Sequence, residues 1–208
     1  MKNFLYIILF GLLATSCSSN KKESAANDST TTNLLAISKA TIVNKDSCAN
    51  GYFIKSSYGY NNFIIDNQAY ILEKNMLFIK ALDSGAPQDK LEEAYKKLTE
   101  QTQYSTDSLE KLCPFNGNVE FKQAGVELFK FYQEAWTEYK GLLEVTNKKD
   151  RVKAYDKIAQ RFHEVHSKTE KMLEEKFALA HTKFSNDYTL HVRTTALHEN
   201  LDSLLYLK

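Results

Sequence analysis

From about Asn61 onward, large apolar residues recur at threes and fours, the period of a helix that buries one side. The first such run carries Phe63, Ile64, Ile71, Phe78 and Leu82 on one stripe. It stops at Asp83-Ser84-Gly85-Ala86-Pro87, where glycine ends a helix and proline opens the next. The second run has a heptad seam of Leu91, Tyr95, Leu98, Thr102, Ser105, Leu109 and Leu112, closed by the break Cys113-Pro114-Phe115-Asn116-Gly117-Asn118. The third carries Phe121, Ala124, Leu128, Phe131, Tyr132, Ala135, Tyr139 and Leu142, and ends near Val145-Thr146-Asn147. The fourth starts near Asp150, with Val152, Tyr155, Ala159, Phe162, Val165, Thr169, Met172, Leu173, Phe177 and Ala180 expected to face inward. Asn186-Asp187 breaks or kinks it, and Leu190 to Leu207 again has a helical pattern.

Four helices with short connections predict an all-α fold, an up-down-up-down four-helix bundle over residues 59–208 with an additional C-terminal helix. At 1.5 Å per residue the fourth helix, if unbroken to Phe184, is about 50 Å long against roughly 37 Å for the second. It should therefore overshoot the bundle, or bend so that the C-terminal helix caps one end. Residues 34–58 form an N-terminal arm: Leu34, Leu35, Ile37, Ile42, Val43 and Tyr52-Phe53-Ile54 are apolar, but Asn44, Asn50 and Gly51 interrupt any period.

The first residues follow another logic. Lys2 is followed by an apolar run, Phe4 to Leu13, too short to span a bilayer and of the length of a signal-peptide core. Ala14-Thr15-Ser16 then leads to Cys17. A cysteine directly after small residues is the acceptor a lipoprotein signal peptidase requires. Residues 1–16 therefore read as a lipoprotein signal peptide and Cys17 as the lipidation site. Leucine usually stands three places before that cysteine, where this chain has Ala14, with Leu13 one further back. Acyl chains of the palmitate class contribute about 0.8 kcal/mol per buried methylene, so several hold a protein on a membrane without a spanning helix. Residues 18–33 lack any large apolar side chain, so 17–33 reads as lipidated cysteine plus flexible tether. Ser18, rather than an aspartate, after the cysteine favours the bacterial outer membrane, by resemblance to bacterial sorting signals; its periplasmic and outer faces both stay open.

Composition narrows the partners. Lys2 is the only charge in residues 1–16, so the mature chain has 26 basic and 26 acidic residues. A neutral chain is a poor nucleic-acid binder, because that affinity needs clustered positive charge. Beyond Cys17 the cysteines are Cys48 and Cys113. Outside the cytoplasm they are a candidate disulfide, and two free thiols are the alternative. A bridge would close a loop worth roughly 4 kcal/mol in the chain-entropy model.

Candidate chemistry is sparse. His163, His166 and Glu170 lie one turn apart in succession on the fourth helix and are the nearest approach to a metal-ligand set. Carboxylate-bridged bundle sites need Glu-x-x-His on two helices plus further glutamates, and helices one to three contain no histidine. No resident metal or cofactor is expected. There is no strained Gly-x-Ser-x-Gly turn and no glycine-rich phosphate loop, so no catalytic residues are assigned and the chain reads as non-enzymatic. Phe129, Trp136 and Leu143 form a second stripe at sevens beside the Phe131/Tyr132 seam, with Tyr139 nearby. Phe129, Trp136 and Tyr139 are therefore either a partner-binding patch or core covered by the arm and the C-terminal helix.

The lipobox and tether, followed by Tyr60-Asn61-Asn62-Phe63-Ile64-Ile65-Asp66-Asn67-Gln68 and Phe129-Lys130-Phe131-Tyr132, resemble a loosely defined family of bacterial surface lipoproteins of spirochaetes and Bacteroidetes. The resemblance covers about residues 58–180 and implies a helical, surface-associated domain, with binding of host factors proposed for some members. The resulting expectation is a membrane-anchored, non-enzymatic binding or envelope-structural module. A periplasmic small-ligand or metal carrier using the bundle core is one alternative, and an inhibitor or immunity-type lipoprotein another.

Overall fold

The computed structural model describes Cys48 and residues 50–190. The signal peptide, Cys17, the tether, most of the arm and the expected C-terminal helix lie outside the described residues. Those described form an all-α helical bundle with no strand among them: α1 (Ser57–Ser84), α2 (Gln88–Lys111), α3 (Glu120–Glu138) and α4 (Lys148–Asp187). A 3-10 segment, Tyr139–Glu144, follows α3.

Each boundary has a local cause. Ser56 caps α1, its Oγ accepting from the Gly59 N–H at 3.0 Å. Gly85 ends the helix at φ 67°, where the Gly85 N–H reaches Leu82 O and the Ala86 N–H reaches Ala81 O. That is the left-handed C-terminal cap that glycine enters without steric cost. Between α2 and α3, Asn116 and Gly117 both have positive φ, and the Asn118 N–H donates to Phe115 O at 2.8 Å. An Asn-Gly pair is the usual solution for two successive left-handed residues. The Asn147 carboxamide caps α4 by accepting from the Lys149 and Asp150 N–H groups.

The heptad seam of α2 packs inward: Leu91, Leu98, Thr102, Ser105, Leu109 and Leu112 are all fully buried. Its buried hydroxyls are satisfied locally, Thr102 by Leu98 O and Thr106 by Thr102 O, both at 2.8 Å. Phe78 of α1 meets Tyr95 of α2, and Asn67 O accepts from Ser105. Tyr95 and Thr102 of α2 hydrogen-bond the Trp136 region of α3, while Lys122 at the other end of α3 donates to Glu110 O. Phe121 of α3 lies on Phe177 of α4, and Tyr139 on Tyr155.

Helix α4 has 40 residues, about 60 Å at 1.5 Å per residue, against about 36 Å for α2. It does not overshoot, because both ends keep partners. Lys148 Nζ donates to Ser84 O at the end of α1, and Phe184 stacks on Tyr60 at the start of α1. Its inward face also differs from the expected one. Arg151, Tyr155, Phe162, Glu170, Leu173, Phe177 and Phe184 are buried, whereas Val152, Val165, Thr169 and Met172 are exposed. The buried line includes two charged residues, so choosing the most apolar line through the sequence rotates the helix away from its true orientation.

The described part of the arm lies along the end of α2. Cys48 and Cys113 are disulfide-bonded with Cα atoms 5.7 Å apart. Beside them the Tyr52 N–H donates to Lys111 O and the Cys113 N–H to Tyr52 O. Gly51 fits between, since a Cβ there would stand 2.5 Å from both Cys48 Sγ and Lys111 O.

Candidate functional site: a buried carboxylate pair and an exposed helix face

Helix α1 carries Asn61, Gln68 and Asn75 at sevens, and all three are buried. Polar side chains in an interior are normally hydrogen-bonded, because an unmet donor or acceptor costs about 1–3 kcal/mol. Here Asn61 Oδ1, Gln68 Nε2 and Asn75 Nδ2 have no partner, and neither do the hydroxyls of Tyr60 and Tyr132. On α4 the Oε1 atoms of Glu170 and Glu174 are likewise buried without a hydrogen bond.

Several of these groups stand together. Helix α1 meets α4 at Tyr60/Phe184 at one end and at Ser84/Lys148 at the other. Interpolating between those ends puts Gln68 level with the turn of α4 that holds Glu170 and Glu174. Helix α3 meets α4 at Phe121/Phe177 and Phe131/Phe162, which brings Tyr132 to the same level. The charges of Glu174 and Glu170 and the side chain of Gln68 all act on the Tyr132 hydroxyl, although no well-formed hydrogen bond closes between Gln68 and Tyr132.

The electrostatics follow from burial. Desolvation, with the neighbouring Glu174 charge second, pushes the Glu170 carboxyl up to about 8. Desolvation alone pushes Glu174 up to about 7. Tyr132 is held far above the usual phenol range by burial first and the two carboxylates second. Among the described residues neither Glu170 nor Glu174 has a Lys, Arg or His ion-pair partner, unlike the surface glutamates paired to lysines on α2, α3 and α4.

The sequence candidates scatter. His163 is exposed; His166 turns toward α3, with Nε2 3.0 Å from Glu138 Oε1 and its ring against Phe131 and Phe162. Glu170 faces the interior instead. The three do not converge on one ion, and no group of three or more His, Cys, Asp or Glu with metal-binding geometry occurs among the described residues. The aromatic patch is corrected as well: Phe129, Trp136 and Tyr139 are at most 3% exposed and belong to the core. The stripe at sevens faces α2, where the Trp136 indole N–H donates to Thr102 Oγ1 at 3.0 Å.

What α4 does expose is a different line. Val165, Met172 and Leu179, seven apart, are 61%, 57% and 71% exposed. Beside them a groove of about 470 Å³ runs between α3 and α4, floored by Ala124, Met172, Leu179 and Ala180. The ion pairs Lys176–Glu127 and Lys183–Glu120 cross it at 2.5 and 2.6 Å.

The sequence does contain the α1 signal, three carboxamides at heptad spacing within an Ile- and Phe-rich helix. Glu170 and Glu174 carry none, being two glutamates among many on a charged helix. No helix among the described residues is long and apolar enough to cross a membrane. The chain matches no protein-family model, no curated protein and no solved structure.

Proposed function

We propose that this chain is a bacterial lipoprotein, anchored to the outer membrane through acylated Cys17, whose helices form an up-down-up-down four-helix bundle that works without enzymatic activity as a binding or envelope-structural module. The paired ends of successive helices support the topology. The observation that carries the binding role is the exposed line Val165, Met172 and Leu179 beside a groove edged with charge. Large apolar side chains held at heptad spacing on the outside of a long helix are the seam by which helices recognise one another. The partner that fits is an amphipathic helix of another protein, with the Lys and Glu side chains around the groove setting its register.

Two measurements test this reading. Cells fed labelled palmitate should label the wild-type chain and not Cys17→Ser; an unlabelled wild type sinks the anchor. A photo-crosslinking residue at position 172 should yield a discrete cross-linked species in cells, lost when Val165 and Leu179 are both changed to Ser. Absence of any such species from positions 165, 172 and 179 sinks the binding face. Protease treatment of intact cells then assigns the side: digestion without lysis puts the bundle outside, and protection puts it in the periplasm.

A further inference from the structure

We propose that the buried layer formed by Glu170, Glu174, Tyr132 and Gln68 is a binding site for one hard divalent cation of the calcium or magnesium type. The inference is independent of the membrane anchor and of the outer face of α4.

Two carboxylates one turn apart on a surface helix would need no explanation. These two turn their Oε1 atoms inward, where neither finds a hydrogen bond. They are not compensated by a basic side chain, in a protein whose surface glutamates are repeatedly paired with lysine. The second observation is the pair of neutral groups aimed at them. The Tyr132 hydroxyl is 1% exposed, has no hydrogen-bond partner, and faces both carboxylates from α3. Gln68, 5% exposed, comes to the same place from α1 with its amide nitrogen unpartnered. A half-turn of that amide exchanges its nitrogen for its oxygen, two atoms of nearly equal size.

The donor set is then four oxygens from three helices, two of them anionic. Its chemistry selects the ion. Hard oxygen donors without imidazole or thiolate suit calcium, magnesium or manganese rather than zinc or copper. A charge of two on the ion balances the two carboxylates, so that a buried group costing solvation free energy on both sides becomes a neutral cluster. His166, one turn before Glu170, is excluded because Glu138 holds it. With one ligand from α1, one from α3 and two from α4, the ion would also tie together three helices.

The test uses the full chain in detergent at pH 8, stripped with EDTA and titrated calorimetrically with CaCl2, MgCl2 and MnCl2. We expect one ion per chain from at least one of these salts, with a rise in Tm of about 3 °C at saturation. Glu170→Gln combined with Glu174→Gln should fold, as both changes keep shape and remove charge, and should lose both the binding and the Tm rise. Tyr132→Phe, which deletes one oxygen, should weaken binding about tenfold. The proposal is overturned if none of the three ions binds the wild type, or if the double variant binds as well as the wild type does.

Discussion

Trp136 shows how a single hydrogen bond fixes which way a large side chain faces. It is the only tryptophan in the chain, and the sequence leaves it equally suited to a core and to a partner surface. The partner that decides the matter is Thr102 on α2, a polar residue within an otherwise leucine-rich seam. Thr102→Val keeps the volume but strands the indole N–H, and should cost about 1–3 kcal/mol in urea unfolding followed by Trp fluorescence. An unchanged midpoint would mean that the indole is held by packing alone. Gly125 makes the complementary point. A Cβ there would stand 2.7 Å from Leu109 Cδ2 and 3.4 Å from Phe177, so α2 and α4 both crowd this turn of α3. Gly125→Ala gains about 1 kcal/mol of helix propensity, yet Leu109 is fully enclosed and has no room to yield. The net expectation is a small loss of stability, read from the same unfolding curve.

At the scale of elements, the four helices and their breaks are legible because glycine, proline and asparagine act through local backbone geometry. The orientation of α4 is not, because it depends on partners that a periodicity cannot see. Arg151 is the clearest case. It is 4% exposed, and its guanidinium donates from Nε to Val145 O, from Nη1 to Ala86 O and from Nη2 to Gln88 Oε1, with Thr146 O at 3.4 Å. A buried cation is thereby dispersed over carbonyl dipoles from two separate loops. The expectation that Val152 faces inward treats its neighbour Arg151 as surface, a reasonable reading of an arginine and the wrong one here. Arg151→Met should cost about 3 kcal/mol, since it leaves those carbonyls without a donor. Arg151→Lys should recover only part of it, because an ammonium lacks the planar fork that spans both loops. Equal stability of the two variants would show that charge rather than geometry matters at this position.

Whole-molecule behaviour should depend on pH in an unusual direction. Glu170 and Glu174 are raised to about 8 and about 7 in the folded state and return to about 4.5 when the chain unfolds. Between these limits the folded form holds more protons than the unfolded one, so stability falls as pH rises from about 4.5 to about 8 and then levels off. In EDTA, Tm should therefore be lower at pH 8 than at pH 5.5, and the combined Glu170→Gln and Glu174→Gln variant should flatten that slope. A wild-type Tm that climbs over this interval would mean that the pair is hydrated and ionised in the native protein. The disulfide works at the same scale. Replacing Cys48 and Cys113 with Ser removes a covalent loop spanning a separation of 65 residues, which the chain-entropy model values at about 4 kcal/mol.

That bond also decides how the molecule would carry load. A pull applied from the N-terminal side enters at Cys48 and crosses directly to Cys113, so the intervening chain, with all of α1 and α2, is bypassed. Roughly 220 Å of contour stays hidden from the force until the sulfurs are reduced. Tension would be felt first by α3 and α4, which makes the half of the molecule nearest the N-terminus its mechanically sheltered part and the C-terminal half its fuse.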